Sequence, residues 1–115
     1  MIEEEAIRSI LSQYDRYGWQ LRRVLLTAEL QSRLGSAGST LFGDAEIKLS
    51  DLDAAWFSRA SRGQNVAWEL RWFYELPFAL LEVIGPDTEP NEIERILRET
   101  ENQLRERIKR RIQGH

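Results

Sequence analysis

The chain has 115 residues and a mass of 13.5 kDa, enough for one domain whose core needs neither metal nor disulfide. Hydrophobic residues at 42% and charged residues at 30% fit an ordinary globular protein, and a formal net charge of -3 argues against a dedicated polyanion binder. With no cysteine and one histidine, the terminal His115, the chain excludes thiolate–zinc sites, cysteine nucleophiles and histidine-dependent triads.

Ile7, Ile10, Leu11 and Tyr14 recur at helical spacing behind Glu3, Glu4 and Glu5, whose carboxylates complement the positive end of a helix dipole. Gly18 is a natural terminator, so the pattern predicts a helix over 3–16. This acidic start lacks the basic residues of a secretory leader. No apolar run approaches the roughly 18 residues of a membrane span, so a cytosolic protein without membrane contacts is expected. Residues 19–26 (WQLRRVLL) satisfy either a helical stripe or a strand; Gly18 and the Val-Leu-Leu end favour the strand. Thr27 can then cap a short helix over 28–34. Residues 35–40 (GSAGST) read as a flexible loop, and they lack the lysine of a nucleotide-binding loop. A short strand over 46–49 precedes a turn at 50–53.

Three strands follow at 54–59, 66–73 and 78–84, joined by segments 61–65 and 74–77 short enough to force antiparallel neighbours. In the middle strand Val66, Trp68, Leu70 and Trp72 alternate with Ala67, Glu69, Arg71 and Phe73. The last strand, Phe78 to Ile84, is apolar at six of seven positions, the pattern of a strand covered on both faces. A chain this short has few elements to cover it, so a second subunit is expected to supply part of the lid. Ile93, Ile96, Leu97, Leu104, Ile108 and Ile112 then make one stripe of a helix over 89–112. Asn91 and Glu94 have the spacing of a capping-box variant. Glu92–Arg95, Glu94–Arg98, Glu101–Arg105 and Glu106–Arg110 are spaced to pair along the helix. At about 35 Å it outruns strands of about 23 Å. The whole reads as a single α+β domain, 1–115. An antiparallel sheet of three to five strands (the meander 54–84) carries the N-terminal helix and the long C-terminal helix mainly on one face.

No catalytic residue, metal ligand or cofactor is assigned. Asp51 and Asp53, near Asp44 and Glu46, have the spacing of some magnesium sites, but turns use the same residues. Arg105, Arg107, Lys109, Arg110 and Arg111 form the strongest basic cluster, at a helix end where cations offset the dipole. Trp56, Trp68, Trp72, Phe73 and Tyr74 concentrate on the meander and read as core or subunit interface. The candidate interface centres on Trp68, Trp72, Phe78 and Leu80. Glu69, Arg71 and Glu82 are charges within apolar strands and form the candidate polar cluster.

The leading expectation is a non-enzymatic interaction domain, homodimeric through that aromatic sheet face and open to a further protein partner. The alternative is a nucleic-acid-binding module stacking bases on the sheet aromatics beside Arg59, Arg62 and Arg71, which the negative charge counts against. A third is a carboxylate-based, magnesium-dependent enzyme.

Overall fold

A computed structural model describes residues 2–74 and 79–113. Two strands set its layering. In β1 (Gln20–Leu26) Val24, Leu25 and Leu26 are all buried, and in β3 (Ala54–Ala60) every residue from Ala54 to Ser58 is buried. Strands apolar on both sides need cover on both sides. Helices α1 (Glu4–Arg16), α2 (Ala28–Leu34) and α3 (Ala37–Phe42) pack on one face, where Ile7, Ile10, Tyr14, Leu30 and Phe42 join Val24, Leu26 and Phe57. Helix α4 (Pro90–Gln113) covers the other, where Leu97 and Leu104 meet Leu25, Trp56 and Leu70. The expected placement of helices mainly on one face is therefore corrected to cover on both. The doubly buried central strands impose it.

The remaining strands are β2 (Glu46–Leu49), β4 (Val66–Trp72) and β5 (Ala79–Ile84), and the sheet order is β2-β1-β3-β4-β5. The sheet is five-stranded and mixed rather than antiparallel throughout. Strand β2 runs parallel to β1, in register from Arg23 opposite Glu46 to Leu26 opposite Leu49, and the other pairs are antiparallel. A parallel pair needs a crossover, and α2 and α3 supply it. Thr27 caps α2 as expected, its Oγ1 accepting from the Leu30 N–H at 3.2 Å. The loop expected over 35–40 instead turns at Gly35 (φ 51°) and continues as α3. Burial of Phe42 overrides the glycine and serine composition there. A bulge at Arg22 interrupts the pairing of β1 with β3. The extra residue lets Leu21 and Val24, three apart, both join the core beneath α1.

Helix α4 starts at Pro90, a favoured first helical residue, and the Ile93 N–H donates to the Glu89 carbonyl at 3.0 Å. Asn91 thus lies inside the helix and forms no capping box. Three charges on α4 reach beyond the helix. Arg23 of β1 donates to both Glu94 oxygens at 2.8 and 3.2 Å, and the Trp56 indole N–H donates to Glu101 at 2.9 Å. Arg105 donates to Asp51 at 2.8 Å. Among the described residues, only Glu92–Arg95 of the four expected along-helix pairs forms.

Edge strand β5 departs most from expectation. Leu81 and Val83 are 56% and 54% exposed, so its apolar run does not mean two covered faces. Helix α1 lies over β1, and β5 is two strands beyond β3. The doubly covered strands are β1 and β3. Phe78 and most of the 74–77 connection lie outside the described residues.

Candidate functional site

Beside the end of α1, period-two alternation puts Ala67, Glu69 and Arg71 of β4 on the same face as Leu81 and Val83 of β5. Arg71 sits between Ala55 and Ala79 in register, and Glu69 between Phe57 and Leu81. The two alanines leave the floor low around Arg71. A groove of about 440 Å³ results, walled by the end of α1 and the start of β1, with Tyr14, Tyr17, Trp19, Arg59, Glu69 and Arg71 on its lining.

Gly18 builds the aromatic wall. Its φ of 83° turns the chain out of α1, and the Trp19 N–H then donates back to the Tyr14 carbonyl at 3.0 Å. The two rings meet edge-on at 6.0 Å, and Tyr14 also stacks on Phe57 at 3.9 Å. The Tyr14 hydroxyl donates to the Glu69 carboxylate. Burial, and then that carboxylate, push the phenol well above its usual titration range. Arg59 lies over the Trp19 ring at 4.4 Å and donates to the Tyr17 carbonyl at 2.8 Å.

Arg71 is half-buried, and burial lowers the pKa of its guanidinium. The group donates to the Trp72 carbonyl. Among the described residues no carboxylate comes within ion-pair distance of it. The groove thus presents two guanidinium groups and an aromatic wall against a single carboxylate that already accepts from Tyr14.

The candidate polar cluster divides. Glu69 and Arg71 share the groove, but Glu82 lies opposite Trp68 on the α4 face, where it accepts from the Thr100 hydroxyl at 3.2 Å. The candidate interface lies on the side of α4. Trp68, Trp72 and Leu80 turn toward the α4 core, Trp68 meeting Trp56 edge-on at 6.2 Å, so this chain's own helix covers that face in part and leaves them half-buried. They share the parity of Leu70, which pairs with Trp56 beneath α4. Phe78, the fourth member, lies outside the described residues.

The two turn aspartates separate. Asp51 is held by Arg105, which lowers its pKa. Asp53 is buried and accepts from the Thr27 N–H at 2.8 Å and the Tyr74 hydroxyl at 2.6 Å. Burial and the bond to Asp53 push the Tyr74 phenol up. Among the described residues no three carboxylate or imidazole groups gather as a metal site would require. In the basic cluster, Arg107 and Arg110 share a surface hollow with Glu99 and Glu106.

Tyr14 and Trp19 escape a reading of the sequence as site residues, and Arg59 enters it only as a candidate nucleic-acid contact, because a helix end, a strand start and a neighbouring strand bring the three together. The legible signal was Gly18. No helix among the described residues is long and apolar enough to cross a membrane. Comparison with protein-family models, curated proteins and solved structures finds no match.

Proposed function

We propose that the protein is an interaction domain that pairs with a second copy of itself through the free edge of β5. The observation that carries this reading is the contrast between the two sheet edges. Edge β2 is four residues long and carries Glu46 and Lys48, features that blunt an edge against pairing. Edge β5 has six residues and one charge, Glu82, which is drawn toward α4 by Thr100. Neither lysine nor proline interrupts it, and Leu81 and Val83 stand half exposed beside it.

Self-complementarity supports a second copy as the occupant. Antiparallel strands related by a twofold axis place residues of equal parity opposite each other. A register centred on Leu81 sets Leu81 against its own mate and Glu82 against Leu80, with no like charges facing. Covering the exposed halves of Leu81 and Val83 in both copies contributes on the order of 3–6 kcal/mol. Association costs about 4–15 kcal/mol. The backbone ladder added between the paired strands must supply the balance, so association is expected to be weak and concentration-dependent.

Light scattering after size exclusion, run from low to high micromolar protein, tests the reading. The expected mass rises from 13.5 kDa toward twice that value. Leu81→Lys is expected to hold the protein monomeric with an unchanged circular dichroism spectrum. A monomer at several hundred micromolar, or a dimer indifferent to Leu81→Lys, would refute it.

A further inference from the structure

We infer that the groove beside α1 binds a small monocarboxylate with a flat apolar body, its carboxylate on Arg71 and its body along Tyr14, Tyr17 and Trp19. The site is separate from the proposed association. The groove opens on the face of the sheet, whereas edge pairing extends the sheet in its own plane.

Charge is the first argument. Among the described residues no carboxylate stands within ion-pair distance of this half-buried guanidinium, and Glu69 acts on it only from farther off, so part of its lost hydration is left without a close counterion. Its planar fork matches a carboxylate bidentately. Glu69 does not fill that role, because it accepts from Tyr14 and stands beyond ion-pair distance of Arg71. Arg59 adds a second cation, fixed on Trp19 and tied to Tyr17. Among the described lining residues two cations face one carboxylate, a balance that one monoanion neutralises.

Shape and lining decide the rest of the ligand. Tyr14, Tyr17 and Trp19 make the wall aromatic, and Ala79 keeps the floor shallow beside Arg71. A volume of about 440 Å³ falls within the range of small-molecule sites. A bare oxyanion would leave the wall unused, and a neutral aromatic would leave Arg71 unpaired.

Titration of the ¹⁵N-labelled protein with 2-naphthoate, 2-naphthamide and inorganic phosphate tests this directly. Naphthoate is expected to shift the Trp19 indole N–H and the Glu69 and Arg71 amides, with a dissociation constant below about 1 mM. Naphthamide and phosphate should each bind at least roughly tenfold more weakly. Arg71→Gln should weaken naphthoate by a similar factor and leave naphthamide unchanged. Equal binding of naphthoate and naphthamide to the native protein overturns the proposal without recourse to any variant. So does phosphate binding as tightly as naphthoate, or shifts that bypass the groove.

Discussion

Asp53 joins three elements through one carboxylate, and its removal is expected to cost about 2–4 kcal/mol. The side chain is 6% exposed, follows the last turn before β3, and accepts from the Thr27 N–H at the start of α2 and from the Tyr74 hydroxyl just past β4. A buried bond to a charged acceptor contributes about 1.5–3 kcal/mol. The Tyr74 bond is set lower, at roughly 0.5–1.5 kcal/mol, because Tyr74 is 38% exposed and water can replace part of the contact. Asp53→Ala loses both and strands a backbone N–H, whereas Tyr74→Phe loses only the weaker one. The alanine variant should therefore cost at least about twice the phenylalanine variant. For a domain of this size it should lower Tm by roughly 8–16 °C. Urea unfolding followed by tryptophan fluorescence gives both values, with m unchanged if only the native state is affected. A cost below about 1 kcal/mol for Asp53→Ala, or equal costs for the two variants, would refute the assignment of Asp53 as the joint.

Leu104 is fully buried between α4 and the sheet, so Leu104→Ala is expected to cost about 2–5 kcal/mol in the same assay; a loss under about 1 kcal/mol would mean that α4 is not seated there. Acid should weaken the fold through Glu94, whose pKa the Arg23 hydrogen bond holds below its ordinary 4.5 against the opposing effect of burial. Because the folded value is the lower one, this stabilisation is complete above about pH 5 and is lost as the pH falls through the folded value. Asp51, lowered by Arg105 from an ordinary 3.8, acts with the same sign. Arg23→Met should flatten the acid limb of a Tm-against-pH curve by less than about 1 kcal/mol, since the Glu94 side chain is 51% exposed. Parallel curves for variant and parent would show that Arg23 does not set the Glu94 titration.

Element identity was readable wherever a period ran undisturbed. The stripe from Ile93 to Ile112 marks α4, the alternation from Val66 to Trp72 marks β4, and Thr27 marks the start of α2. Layering was harder to read, because period two sorts side chains into two sets without naming the partner of either. Trp68 and Trp72 belong to the set that α4 covers, and Glu69 and Arg71 to the open one. The apolar run of β5 misleads for a related reason. An edge strand can keep two apolar rows when one lies beyond the helices, and Leu81 and Val83 do so. The polar cluster was half legible. Glu69 and Arg71 share parity within one strand, but placing Glu82 required the register between two strands. Residues 35–40 failed on composition alone, where the crossover between parallel strands outweighed flexible residue types.

Helix α4 follows all five strands in the chain and, among the described residues, is the one helix over Trp56 and Leu70. At ordinary translation speeds its 24 residues take on the order of a few seconds to synthesise. Until α4 has emerged and docked, only the side that α1, α2 and α3 occupy can be covered. The tryptophan-bearing side stays wet and adhesive until the ribosome delivers its cover.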